Sequence, residues 1–405
     1  YFKKQLVTIL SGENMVINAI DKLSENSELS KLKGNIALLC HSASVNKELT
    51  HSVLVLKSLV GNRLKRIFGP QHGFVTDVQD NMIETNDFIH PYFNIPVHSL
   101  YGETRIPTDE MLEGIDTLVV DLQDVGTRVY TYISTLTLAM EKCAELGKKV
   151  VVLDRPNPVG GLITEGAILQ DHLRSFVGRY PMPQRHAMTM GEVGLFAKNN
   201  FSIDVDYDVI KMDGWKREMN WRDCAQEWVN PSPNLPTPEG ALTFVGTVLF
   251  EGTKLSEGRG STRSLEVIGH PNIEPFSFID HLEKKLGKID GAILRPTTFH
   301  PMFQKHAGKT CGGVHIHISD WNTFRPWRTS QLICREFRNI LKEEFSWQDA
   351  PYEYEYDKLA IDLINGTEDI RHWVENNGDL SNLLEIENRD LDLYLSRRDG
   401  ALIYS

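Results

Sequence analysis

Acids, amides and arginines gather in the polar segments of this chain in combinations that an enzyme could use. The stretch 115–158, IDTLVVDLQDVGTRVYTYISTLTLAMEKCAELGKKVVVLDRPNP, carries two such groups. Asp121, Gln123, Asp124 and Arg128 follow one apolar run, and Asp154, Arg155 and Asn157 follow the next. Asp77, Asp80, Glu84, Glu103, Glu165, Glu251 and Glu257 add carboxyls elsewhere, and His72 and His186 could exchange protons with them. Two carboxyls facing each other across a cleft suit glycosidic bond cleavage, in which one protonates the leaving oxygen and the other activates water or stabilises an oxocarbenium ion. Arg105, Arg128, Arg155, Arg185 and Arg259 could each hold a substrate carboxylate through two parallel hydrogen bonds. Tyr101, Tyr130 and Tyr132 offer rings to a sugar face. Each residue has a structural reading too: acids and arginines at strand ends cap helices and pair with one another, and Tyr130 and Tyr132 fit a core.

Chemistry at these positions requires elements that bring them together. Residues 118–122, apolar apart from Asp121 and β-branched at Val119 and Val120, are too short for a helix and read as a strand buried on both faces. Tyr132, Leu136, Met140 and Cys143 then recur at spacings of three and four, one face of a helix that stops near Gly147. Residues 150–153 form a second buried strand. This strand, helix, strand unit is one of a series. Strands are expected at 33–40, 63–68, 96–100 and 205–212, with helices at 18–29 and 50–59. Another helix begins at Thr189, where Glu192 completes a capping box. Polar segments leave each of the first five strands: HSASVN, GPQHGF, SLYGETR and the two groups above. The pattern predicts a Rossmann-like, doubly wound, mostly parallel sheet, whose ligands bind past the carboxyl ends of the strands. Four prolines in the run 230–240 mark a boundary between a domain over 1–230 and a smaller α+β domain over 241–405. In the second part, 279–286 and 330–345 read as helices, 312–319 as a strand, and the chain from Tyr352 onward as a mainly helical tail.

Composition excludes several classes of partner. A net charge of −12 with no basic cluster beyond 62–66 argues against nucleic acid. No apolar run approaches the roughly 20 residues that span a bilayer. Five scattered cysteines, Cys40, Cys143, Cys224, Cys311 and Cys334, read as buried thiols. The start of the chain has a short apolar patch without a signal-peptide pattern, so an extracytoplasmic location follows if a leader has been removed and a cytoplasmic one otherwise. Phosphate-binding glycine loops, a nucleophile elbow and a zinc-protease motif are all missing, and no cofactor is expected. His315 and His317 share a strand face and could ligate a metal with Asp320, but they lack a further nearby ligand, so no metal is expected. Composition and spacing lead to an α/β enzyme with an acid-rich cleft.

The same segments carry a family resemblance. FGPQHGF from Phe68, SLYGETRIPTDEML from Ser99, DLQDVGTRVYTYIST from Asp121 and VLDRPNPVGG from Val152 resemble the NamZ-type exo-β-N-acetylmuramidases. So do SFVGRYPMPQRHAMTMGE from Ser175, PSPNLPT from Pro231, EGTKLSEGRGSTR from Glu251 and FHPMFQKHAGKTCGGVHIHISD from Phe299, in collinear order over nearly the whole chain. The resemblance implies a Rossmann-like amino-terminal domain, a smaller carboxyl-terminal domain, a cleft between them, and release of N-acetylmuramic acid from non-reducing ends of peptidoglycan fragments. One position departs from the pattern. Where many members of the family read GPEHG, this chain has Gln71, and an amide cannot donate a proton as a carboxylic acid does.

Two readings follow. In the first, a metal-independent glycoside hydrolase uses Glu84 or Glu103 as its acid, with His72 and Asp124 beside the reacting bond. Gln71, Asp77, Tyr101, Arg105, Asp121, Gln123, Tyr130, Asp154, Asn157, Glu165 and His186 then contact the sugar, Arg128 or Arg155 holds the lactyl group, and Glu257 and Arg259 arrive from the second domain. In the second, the protein binds or senses muropeptides and has lost turnover. Oligomeric state is open in both.

Overall fold

The computed structural model describes residues 15–79 and 82–405, so the amino-terminal apolar patch and Asp80 lie outside the described residues. Seven strands make the larger sheet: β1 (Ile36–Cys40), β2 (Leu64–Gly69), β3 (Phe88–Ile89), β4 (Pro96–Ser99), β5 (Thr117–Asp121), β6 (Lys149–Leu153) and β7 (Asp206–Ile210). Their spatial order is β3-β4-β2-β1-β5-β6-β7, parallel throughout except for the edge strand β3. Side chains alternate between two cores. Ala37, Leu39, Leu118, Val120, Val150 and Val152 enter one, while Leu38, Val119, Val151 and Leu153 enter the other. Both faces are apolar, which is why these strands read as unbroken hydrophobic runs. The helix Ser52–Val60 covers one face through Val53, Leu56 and Val60, and Tyr132–Glu145 covers the opposite face through Leu136, Met140 and Cys143. A sheet wound in both directions from β1 and β5 is the doubly wound architecture expected.

Helix starts follow local chemistry. Thr189 caps Met190–Asn200 through the predicted box, its Oγ1 accepting from Glu192 N at 3.3 Å while the Glu192 carboxylate accepts from Thr189 N at 3.0 Å. The single helix expected over 18–29 is instead two turns, Ala19–Lys22 and Asn26–Leu29. Ser24, Asn26 and Ser27 lie between or within them, and such side chains compete for the backbone and favour turns over continued helix.

The smaller sheet contains β8 (Val267–His270), β9 (Ala292–Phe299) and β10 (Cys311–Ile318), antiparallel in the order β8-β10-β9. Pro275–Leu286 and Pro326–Leu341 pack with it, and four shorter helices from Ala360 to Asp399 complete this domain. Only β10 was expected: β8 is four residues long, and the edge strand β9 contains Pro296 and is largely half-buried or exposed. The proline run does not separate two independent cores. Its last member, Pro238, sits in the first turn of the helix Pro238–Thr247, capped by Thr237, where a missing N–H costs nothing. One hydrophobic cluster runs from Leu39 and Val120 through Phe244 and Phe250 to Val314 and Phe337. All five cysteines are buried thiols, and no helix among the described residues is long and apolar enough to cross a membrane.

The crevice between the ends of β1 and β5 is where doubly wound sheets bind ligands. Here the chain fills it with its own side chains. Arg155 donates from Nε to Asp121 Oδ1 at 2.5 Å and from Nη2 to Oδ2 at 2.9 Å, Ser52 donates to the same carboxylate, and Arg155 also reaches Val45 O at 2.8 Å. Neither member of this pair has meaningful exposure. Arg155→Met would leave a buried carboxylate without its cation, so unfolding in urea should show a loss of about 3–5 kcal/mol. A loss below about 1 kcal/mol would mean that the pair does not hold the crevice shut.

Candidate active site

A small cavity opens beside that crevice, past the end of β2. Gln71 and His72 come from the β2 exit, and Tyr130, Thr131 and Tyr132 come from the start of the helix Tyr132–Glu145. The second half of the chain contributes Ser232, Phe244, Glu251, Arg259, Tyr352 and Glu353. Its volume is about 30 Å³, room for water but not for a pyranose ring. A sugar therefore reaches these groups only if part of the wall moves.

One wall is a strap, residues 351–356. Tyr352 and Glu355 exchange backbone hydrogen bonds of 3.1 and 2.9 Å, which leaves Glu353 and Tyr354 as the two central residues of a tight turn. Both have positive φ, 45° and 68°, the hallmark of mirror-image hairpin turns in which Asn and Gly are preferred. Two bulky residues in this region cost about 1–2 kcal/mol each, and their contacts must offset it. Glu353 Oε1 accepts from Gln71 Nε2 at 3.1 Å, and Oε2 accepts from the Tyr101 hydroxyl at 2.7 Å. Thr131 donates to Gln71 Oε1 and so fixes which way the amide faces. Tyr352 donates to Glu251 Oε2 at 2.8 Å, and Tyr354 donates to Glu84 Oε1 at 3.3 Å.

The two carboxyls of the cavity are driven in opposite directions. Burial lifts Glu353 to about 7, against the pull of the Tyr101 and Gln71 hydrogen bonds, and the negative charge of Glu251 adds to the rise. Burial acts on Glu251 in the same sense, but the Arg259 guanidinium and the Tyr352 hydroxyl outweigh it and hold this carboxyl below its usual range. One is a proton carrier at neutral pH and the other an anion, a separation typical of paired catalytic acids. His72 is buried and pushed down to about 4, hence neutral. Its Nδ1 faces Val78 O at 2.8 Å, so Nδ1 carries the proton and Nε2 is left as an acceptor. His72 also has positive φ, 68°. Strained residues concentrate where function over-determines the backbone.

Of the residues singled out in the sequence, Gln71, His72, Tyr130, Tyr132, Arg259 and Glu251 line this cavity. Tyr101 adjoins it through Glu353, and Arg105 stacks on Tyr354 with its guanidinium centre 3.6 Å from the ring. Glu257 stands behind Arg259, paired with Lys305 at 2.8 Å. Glu84, Glu103 and Asp77 are exposed on loops.

The two strand-exit groups do lie side by side, and most of their polar atoms are taken up by one another or by main chain, while Asp124 Oδ1, His186 Nε2 and Arg128 Nε are buried without a hydrogen-bond partner among the described residues. Asp121 and Arg155 fill the crevice, and Gln123 donates to Asp124 O and Pro156 O at 2.8 and 3.0 Å. Asp154 receives Thr189, Gly191 and Tyr404, and Asn157 donates to Met188 O at 2.9 Å. Asp124 accepts from Gly126 N at 2.7 Å and lies 3.6 Å from His186. Arg128 spends its guanidinium on Ile364 O, Leu363 O, Val177 O and Gln184. Arg185 pairs with Glu165 at 2.9 Å, both fully buried. Buried ions and amides need partners more than they need substrate, and neighbouring exits supplied those partners. Arg295 sits between His315 and His317, and among the described residues no cluster of three or more His, Cys, Asp or Glu could hold an ion.

Glu353 escaped notice because its segment, PYEYEYDK, has neither Gly nor Asn at the two turn centres and reads as the edge of a helical tail. The available signal was three tyrosines alternating with two glutamates, an extended pattern that a helix does not use.

A doubly wound sheet joined to a small antiparallel domain, with a protonated carboxyl and a carboxylate in one cavity, has the equipment of a glycoside hydrolase. Residues 36–239 match the family description "Exo-beta-N-acetylmuramidase NamZ, N-terminal" and residues 242–404 match its C-terminal counterpart. The chain is 40% identical over 377 residues to the peptidoglycan beta-N-acetylmuramidase NamZ of Bacillus subtilis strain 168, covering 92% of this chain and 88% of that one. Two crystal structures of DUF1343 family proteins from Bacteroides fragilis NCTC 9343 share the fold. One has a TM-score of 0.85 and 28% identity over 97% of this chain and 100% of its own. The other has a TM-score of 0.74 and 25% identity over 96% and 99%. The chain belongs to the exo-β-N-acetylmuramidase NamZ family.

Three buried carboxyls hold their protons more tightly folded than unfolded, Glu353 and Glu165 at about 7 and Asp154 at about 6. A raised carboxyl pKa withdraws stability as pH climbs from the unfolded value near 4 through the folded one. Buried histidines such as His72, held near 4, act in the opposite sense as pH rises, so the expectation is a difference: from about pH 5 to about pH 8 the urea midpoint of the wild type should lose ground to that of Glu353→Gln, which lacks the Glu353 contribution. Parallel profiles in the two proteins would mean that Glu353 ionises in place at no cost.

Proposed function

We propose that this protein is an exo-β-N-acetylmuramidase that releases N-acetylmuramic acid from the non-reducing ends of peptidoglycan fragments, with Glu353 as proton donor. The observation that carries the reading is the Glu353 carboxyl, buried against Gln71 and Tyr101 in the same cavity as the anionic Glu251. Glu353 protonates the glycosidic oxygen as the bond breaks, and Glu251, kept ionised by Arg259, stabilises the positive charge that grows on the sugar. Neutral His72 accepts a hydrogen bond from a sugar hydroxyl or from the incoming water. A cavity walled by a strap suits the end of a glycan and not its middle. The family match supports the same substrate.

Gln71 alone pointed to a protein that binds without turnover, because the family's glutamate is missing there. Glu353 removes that reason. A carboxyl at position 71 would face Glu353 across a hydrogen bond, and two such groups share one proton. Replacing one by an amide leaves the other to carry it.

Turnover of a chromogenic β-glycoside of N-acetylmuramic acid tests the reading. The wild-type protein should cleave it, Glu353→Gln should lose about 10²–10⁴ in kcat, and Glu84→Gln and Glu103→Gln should stay within a few-fold. Full activity in Glu353→Gln would remove Glu353 from the chemistry, and binding without cleavage by the wild type would leave a muropeptide receptor.

A further inference from the structure

The cations around the site differ in how far they are already committed. Arg259 is neutralised by Glu251 and Glu257 and also reaches Gln79 O at 3.3 Å. Lys305 pairs with Glu257 and donates to Phe250 O. Arg155 and Arg185 are locked to Asp121 and Glu165, and Arg128 to main-chain carbonyls and Gln184. Arg128, Arg185 and Arg259 each leave a buried Nε without a hydrogen-bond partner among the described residues but are held through their other nitrogens, and Arg105 is the exception among these. Its Nε and Nη2 are buried without a hydrogen-bond partner among the described residues.

What surrounds Arg105 is a box of rings. Its guanidinium centre lies 3.6 Å from the Tyr354 ring, 5.0 Å from Tyr101 and 5.7 Å from Phe176. Aromatic faces stabilise the cation and hold its plane, but they accept no in-plane N–H bonds. Donors buried without acceptors cost about 1–3 kcal/mol, more for a charged group, and the cost disappears when a carboxylate arrives. The box is also tied to the proton donor. Tyr101 touches Arg105 with its ring and Glu353 with its hydroxyl, Tyr354 is the next residue after Glu353, and the positive charge of Arg105 reaches Glu353.

N-acetylmuramic acid differs from N-acetylglucosamine by an ether-linked lactyl group whose carboxylate is anionic at neutral pH. Resting on the muramidase reading above, we propose that Arg105, held in the Tyr101, Phe176 and Tyr354 box, binds the lactyl carboxylate and sets the preference for N-acetylmuramic acid over N-acetylglucosamine. The planar fork donates to both carboxylate oxygens. Glu353 and Arg105 then address two different substituents of one terminal ring, the leaving oxygen and the lactyl arm.

Calorimetric binding of the two free sugars to wild type, Arg105→Met and Arg105→Lys tests this without requiring turnover, alongside cleavage of the chromogenic muramic acid glycoside. Arg105→Met keeps the stem and removes the charge. Its affinity for N-acetylmuramic acid should fall about 10- to 100-fold, the worth of a charge-assisted pair, while its affinity for N-acetylglucosamine stays at the wild-type value. Arg105→Lys should recover part of the loss. An equal loss for both sugars, or none for N-acetylmuramic acid, would overturn the assignment. Failure of the wild type to cleave the glycoside while the affinity pattern holds would overturn the hydrolase reading and leave Arg105 in place.

Discussion

The contact among Gln71, Tyr101 and Glu353 joins residues 282 positions apart and closes the site from both halves of the chain. Everything chemical in the cavity depends on it. The contact holds the strap in a turn its sequence disfavours, and it takes the Glu353 carboxyl out of water, which is what keeps a proton on it near neutral pH. The same closure leaves too little room for a sugar.

The sheet explains why the site sits where it does. In doubly wound folds the crevice between the two central strands is the customary ligand site. This chain has filled it with the Asp121–Arg155 pair and with Ser44 and Ser52, and no phosphate-binding loop follows β1. The pocket has moved one strand along, to the β2 exit, where the second domain supplies the facing wall. Because one hydrophobic cluster runs through both domains, that wall is positioned by core packing and not by a hinge alone.

Much of the fold was legible in the amino-acid sequence because parallel strands buried on both faces leave unbroken apolar runs, and the helices between them keep a clear three-and-four spacing. The antiparallel strands β8 and β9 left no such mark, one being too short and the other half-exposed and interrupted by Pro296. The site was legible at the level of segments and much less so at the level of roles. A buried Arg128 bound to carbonyls and an Arg105 left open among rings are the same letter in a sequence. Which acid carries the proton depends on burial and on partners from the far end of the chain, and the strap that brings Glu353 to Gln71 has neither Gly nor Asn at the two central positions of its turn.

The central claim is that burial between Gln71 and Tyr101 keeps Glu353 protonated at a pH where a solvated glutamate is ionised. Infrared difference spectroscopy of wild type against Glu353→Gln, followed from about pH 5 to about pH 8, reads that proton directly. A carboxylic acid band assigned to residue 353 that persists to near pH 7 and then gives way to carboxylate is the predicted result. A carboxylate band already complete near pH 5 would contradict it.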